Sequence, residues 1–161
     1  MEKFQEVREK AKKHIKIADH MISVTFPLVK DNKLLLAVIE NIFLAYTNAI
    51  GSLLYFERVF KRIPPFQDNF ESKFMMFKEM CVQKYKIDRN YIADIQDLKN
   101  IILSHKKSPI EFTRKDRFVI CSNNYTLETI SISNIKKYLD KAKLFIEEIN
   151  NITSKDEGLF R

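Results

Sequence analysis

The stretch from Lys33 to Ile63 constrains this chain more than any other, because it holds no proline and no turn cluster and stops only at Pro64-Pro65. Asp31 or Asn32 can cap a helix that begins there. The two prolines end it at about Ile63, since proline lacks an N–H and drives the residue before it out of the α region. At 1.5 Å of rise per residue, such a helix is on the order of 45 Å long. Its centre, Leu34 to Phe56, is apolar enough to raise the question of a membrane span. Glu40 and Asn41 lie well inside that stretch, however, and Asn48 at its centre. An acidic residue within a span costs about 2–3 kcal/mol on insertion scales. With no second candidate span in the chain, the expectation is a buried central helix rather than a single-pass anchor at 34–56. Along it Asn41, Ala45, Asn48 and Ser52 recur at steps of four, three and four, a small polar seam where another helix can approach closely.

The rest of the chain reads largely as helix too. Only 2 Gly and 4 Pro punctuate 161 residues, and with 45% hydrophobic residues the expected organisation is one domain over 1–153 followed by a tail at 154–161. Phe4, Val7, Ala11, Ile15, Ala18 and Ile22 recur every three or four positions and predict a first helix from Phe4 to Phe26, ended or kinked at Pro27. His14 and His20 sit on it about 240° apart, which is not the i, i+4 spacing of a metal pair. Phe70, Phe74, Phe77, Met80, Cys81 and Tyr85 predict a third helix with an aromatic face; Met75-Met76 on it suits core packing or an adaptable groove. Asp88 caps a fourth, with Ile92, Ile95, Leu98 and Ile101/Ile102 inward and Asp94, Asp97, Lys99 and Asn100 near the edge.

Beyond Ser108-Pro109 the pattern changes to short β-rich runs at 110–113, 117–121 and 125–130, with turns at Lys115-Asp116 and Ser122-Asn123-Asn124. A small antiparallel meander at about 110–130 is expected. Ser131 or Ser133 then caps a last helix through Ile135, Tyr138/Leu139, Ala142, Phe145/Ile146 and Ile149. The predicted fold class is therefore mainly α: an up-down bundle of about five helices with a meander inserted before the last.

The formal charge of +7 favours anionic partners such as nucleic acid or an acidic membrane surface. Cys81 and Cys121 lie far apart, with no CxxC pair or Cys/His cluster, which argues against a zinc site and against a disulfide framework. That usage points to a reducing, cytoplasmic environment. The charged segment Met1 to Glu6 lacks the apolar core of a signal peptide.

Candidate chemistry concentrates in one run, Asp97 to Lys107. There Lys99, Asn100 and His105 come from the end of an amphipathic helix, and a cationic group follows at Lys106, Lys107, Arg114, Lys115 and Arg117. A histidine near neutral pKa can take a proton from a ribose 2′-hydroxyl or give one to a leaving 5′-oxygen. A cation stabilises charge building on the phosphate, and an amide orients either group, so neither metal nor cofactor is required. The cationic residues would add phosphate affinity that does not depend on sequence. Six residues set Lys99 and His105 on different sides of an ideal helix. Joint action therefore requires the helix to loosen near Ser104 or a second subunit to supply one group.

Lys99-Asn100 followed by four residues and His105, on a late helix of a bundle, resembles the motif of the HEPN superfamily, in which an arginine, a polar residue and a histidine stand at this spacing. The resemblance covers the helical part and leaves out the meander. It implies a metal-independent endoribonuclease acting as a dimer, with His105 as acid/base and Lys99 and Asn100 as phosphate-binding and orienting groups. It also implies, as alternatives, a non-catalytic module that binds RNA or a protein partner, including a nucleotidyltransferase in a toxin–antitoxin pair. Lys99 stands where the family has arginine and lacks the planar fork that grips a phosphate bidentately. A competing explanation needs no site at all, because cations are favoured at the negative end of any helix.

Overall fold

In the computed structural model the described residues are 1–107, 110–114, 117–121 and 127–155, with side chains described for 1–105 and 130–155. The expected turns at 108–109, 115–116 and 122–124, together with residues 125–126 and 156–161, lie outside them. Helix α1 (Lys3–His20) opens with Glu2 N–H donating to Gln5 Oε1 at 2.9 Å, and its predicted stripe Phe4, Val7, Ala11, Ile15 and Ala18 is buried throughout. An end or a kink is expected at Pro27, and the helical path does not end there. A π-helical turn, Met21–Thr25, follows α1 directly, and α2 (Phe26–Val29) takes Pro27 into its first turn, where a missing N–H costs nothing. Lys30, with φ of 55°, then turns the chain in the left-handed conformation.

Helix α3 (Lys33–Val59) is the element the others enclose. Asp31 Oδ1 accepts from Lys33 N at 3.0 Å and so does the capping, although the chain enters the helix at Asn32. Leu35, Val38, Ile39, Ile42, Tyr46, Ile50, Leu53, Leu54 and Phe56 are all at most 1% exposed, which covers several faces of the helix rather than one stripe. Among the described residues α3 is also the one helix long and apolar enough to cross a membrane, and 56% of its most apolar window is buried inside the protein. Its neighbours explain that burial. Helix α1 packs antiparallel to it, and a Cβ added at Gly51 would stand only 3.3 Å from Val7 Cγ1, so a larger residue there would push Val7 back by a few tenths of an ångström. His14 Nδ1 donates to Asn41 Oδ1 at 3.1 Å, and Asn41 Nδ2 donates to Ala37 O, so this part of the polar seam joins α1 to α3. Asn48 and Ser52 bond to carbonyls within α3 itself.

Helix α3 ends at Val59, four residues short of the expected boundary, because Lys61 turns with φ of 54° and Arg62 N–H returns to Glu57 O. Helix α4 (Phe70–Met80) also stops early: Asn69 caps it through Ser72 N at 2.8 Å, and the chain turns after Cys81, leaving Tyr85 outside. Asp88 Oδ1 accepts from Asn90 N to start α5 (Asn90–Lys107). Strands β1 (Ile110–Arg114), β2 (Arg117–Cys121) and β3 (Leu127–Ser131) form an antiparallel sheet in the order β1-β2-β3. Ser131 caps α6 (Ile132–Ser154) by accepting from Asn134 N at 3.1 Å. The five long helices make a mainly helical bundle. Phe145 of α6 sits at its centre, its ring 5.1 Å from Tyr46 of α3, 5.9 Å from Phe77 of α4 and 5.1 Å from Tyr91 of α5.

Glu57 is wholly buried near the end of α3 and holds the loops that leave it. Lys84 Nζ donates to Oε2 at 2.8 Å, the Tyr85 hydroxyl donates to Oε1, and Arg62 Nη1 stands 3.6 Å from the same oxygen. Removing that carboxylate takes three contacts from its partners, but Arg62 and Lys84 are 35% and 42% exposed, so water takes up part of their charge and the cost is about 1–3 kcal/mol. Glu57→Ala should therefore lower the unfolding free energy in urea by about 1–3 kcal/mol, and Glu57→Gln by clearly less. A loss below about 1 kcal/mol for the alanine variant would mean that the loops are held by apolar packing alone.

Candidate functional site

The run singled out in the sequence lies on α5, which continues as helix through Ser104 and His105 to Lys107, so joint action of Lys99 and His105 would need a second subunit. Six residues at helical geometry separate Lys99 from His105 by about 9 Å along the axis and about 240° around it. Lys99 is drawn to α4: its ammonium pairs with the Glu71 carboxylate and lies 4.8 Å from the centre of the Phe70 ring. Asn100 is exposed, and its Oδ1 accepts from Gln96 Nε2 at 3.1 Å. His105 is half-buried in the last turns of α5. The helix thus presents the three residues separately.

Backbone pairing brings two residues of the cationic group together. Lys106 and Lys107 complete α5, and Arg114 and Arg117 are register partners across the β1–β2 hairpin. Lys115 lies outside the described residues. Among the described residues no group of three His, Cys, Asp or Glu is arranged to hold a metal ion. Burial pushes the Cys81 thiol up to about 12, with the Glu57 charge adding to the effect, so this cysteine stays protonated and is no nucleophile.

A second constellation, between α5 and α6, was not foreseen. The two helices run antiparallel, with Tyr91 against Phe145 and Asp94 against Lys141. Asp94 is only 8% exposed, and its Oδ2 is buried without a hydrogen bond. Lys141 Nζ lies 3.4 Å away, near enough for attraction but outside hydrogen-bond geometry. The Tyr46 hydroxyl, fully buried on α3, is likewise without a hydrogen bond, and burial followed by the Asp94 charge raises its pKa. Burial raises the Asp94 carboxyl above the ordinary aspartate range, and Lys141 opposes that only in part. Tyr138 is raised by burial and then by Asp97 and Asp94. In front of these groups lies a cleft of about 280 Å³ lined by Asp94, Asn134, Lys137, Tyr138 and Lys141. The sequence did hold a signal for it: Tyr91, Asp94, Leu98 and Ile101 recur at steps of three, four and three, which sets an aspartate in the apolar stripe of α5.

A larger cleft of about 360 Å³ opens on another side, between α1, α3 and the start of α4. Phe43, Tyr55, Phe70 and Phe74 line it with Lys3, Lys10 and Lys73, while Asp68, held below the usual carboxylate range by Lys73, offsets part of that charge.

Comparisons of the chain with family models, with curated proteins and with solved structures return no match.

The raised Asp94 carboxyl makes a signed prediction. Ionising it costs the fold free energy, a cost that is absent below the unfolded aspartate value of about 3.9 and sets in as pH rises through the higher folded value. Asp94→Asn should therefore raise the melting temperature near neutral pH, and the gain should vanish on acidification to the unfolded value. A lower melting temperature at neutral pH would show that the Lys141 attraction outweighs burial.

Proposed function

We propose that this chain is a HEPN-like helical bundle that binds single-stranded RNA through the cationic end of α5 and the adjoining β1–β2 hairpin. The observation that carries the proposal is the register that sets Arg114 opposite Arg117, in the hairpin that follows the Lys106-Lys107 end of α5. Like charges directly opposite in a ladder oppose pairing unless an anion offsets them, and a phosphate backbone is such an anion. The charge of +7 supports the same partner. The engagement of Lys99 with Glu71 and Phe70 favours binding over cleavage, because a lysine already paired is a poorer stabiliser of phosphate charge.

His105, half-buried and directly before the cationic run, favours a second reading, a dimeric metal-independent endoribonuclease in which the partner subunit supplies the phosphate-binding cation. The two readings separate in one assay. In the presence of EDTA the binding module leaves RNA intact, whereas the ribonuclease cleaves it, loses that activity in His105→Ala, and keeps or gains it in Lys99→Arg, whose fork grips phosphate bidentately.

Binding itself is measured by fluorescence anisotropy of a labelled single-stranded RNA. Affinity should fall steeply as salt rises, with a log–log slope of about 0.7 per phosphate contacted. The triple variant Lys107→Ala, Arg114→Ala, Arg117→Ala should weaken binding and flatten that slope. Salt-independent binding, or an unchanged slope in the triple variant, would rule out this surface.

A further inference from the structure

We infer that the α5/α6 cleft reads a guanine base of the bound RNA strand, with Asp94 and Lys141 facing its Watson–Crick edge. The inference rests on the RNA-binding reading and adds to it a base preference and a place. Asp94 and Lys141 both line the cleft, with the ammonium 3.4 Å from the carboxylate oxygen Oδ2, so a group with two acceptor oxygens stands beside a donor. Guanine presents the complement, two adjacent N–H donors at N1 and N2 followed by the O6 acceptor. Adenine and cytosine each offer a single amino donor beside ring or carbonyl acceptors, and uracil a single imide N–H between two carbonyls. Of the four bases, guanine alone can satisfy both carboxylate oxygens and the ammonium together.

The carboxylate is poised for such a partner. Asp94 Oδ2 is buried without a hydrogen bond, and a buried acceptor in that state gains from any donor that reaches it. Lys141 Nζ stands 3.4 Å from that oxygen in the free protein, and its side chain is 52% exposed, so it can swing aside and then meet O6. Tyr138 adds an aromatic wall on which a base can stack, and Lys137 and the exposed Asn134 add donors at the mouth. The cleft, about 280 Å³, falls at the small end of ligand sites, which suits one base rather than a stacked pair.

Position links the cleft to the RNA surface. Because α5 runs antiparallel to α6, its Lys106-Lys107 end lies toward the start of α6, where β3 enters and where Asn134, Lys137 and Tyr138 stand. A strand held at the hairpin can lay the next base against the first turns of α6. Splayed bases read on their Watson–Crick edges are the usual targets of sequence-specific binding to single-stranded RNA.

The test uses the full chain and short oligouridines that carry guanosine, inosine, adenosine or uridine at one central position. Inosine lacks only the 2-amino group. The guanosine oligomer should bind about five- to hundredfold more tightly than the inosine oligomer, as a bidentate contact implies, and more tightly still than the others. Asp94→Asn should erase the difference between guanosine and inosine while leaving the salt-dependent binding of plain oligouridine as it was. Lys141→Met, a change at a half-exposed side chain, should independently weaken guanosine binding several-fold. Equal affinity for guanosine and inosine, or a guanosine preference that survives in Asp94→Asn, overturns the inference. The RNA-binding reading has its own failure, the absence of oligouridine binding at low salt, so the two can fall separately.

Discussion

Burial of α3 on several faces at once is the condition that the rest of the structure meets. Leu35, Ile39, Ile42, Tyr46, Ile50, Leu53 and Phe56 cannot be covered from one side, and each large apolar side chain withdrawn from water contributes about 1.5–3 kcal/mol. Three devices provide the cover. Gly51 lets α1 close to van der Waals distance, Phe145 of α6 gathers rings from α3, α4 and α5, and Arg8 of α1 donates to Thr153 of α6 at 3.1 Å to join the outer helices. Polar groups inside this arrangement are placed according to what they bond. Asn41, Asn48 and Ser52 reach carbonyls or His14, and Glu57 gathers Arg62, Lys84 and Tyr85 where α3 gives way to loops.

Much of that was legible in the sequence. The five-residue stripe of α1, the enclosed α3, the caps at Asp88 and Ser131 and the change of texture after Lys107 all follow from period and turn chemistry. Helix ends were less legible. The chain reverses at Lys30, Lys61 and Lys86, each in a left-handed conformation that glycine or asparagine usually supplies, so proline was the only visible stop and it marked the wrong residue. At Pro27 a widened turn absorbed the missing N–H instead of ending the helix.

The site was legible only in part, for the same reason: spacing along one helix says little about what a neighbouring helix brings. Lys99 stands on α5 as its period requires, yet Glu71 and Phe70, far away in sequence, decide where its charge goes. Asp94 is expected near the helix edge, whereas its spacing with Tyr91, Leu98 and Ile101 sets it in the inward stripe, where it is buried. A charged residue that keeps apolar register is costly to the fold, and its presence there is accounted for if a ligand donates to it. Asp94 and Lys141 meet where α5 packs on α6, and the start of α6 on that face follows directly from β3.

Those two surfaces, the cationic hairpin end and the Asp94 cleft, are held together by α5 and α6, and an RNA strand that uses both must touch both helices. Amide chemical shifts of the isotope-labelled full chain, followed while a guanosine-containing single-stranded RNA is added, test this most directly. Shifts should concentrate in the last turns of α5, at Arg114 and Arg117, and in the first half of α6 from Asn134 to Lys141. Shifts confined to the cleft between α1, α3 and α4, or none at any RNA concentration, would contradict the assignment of this face.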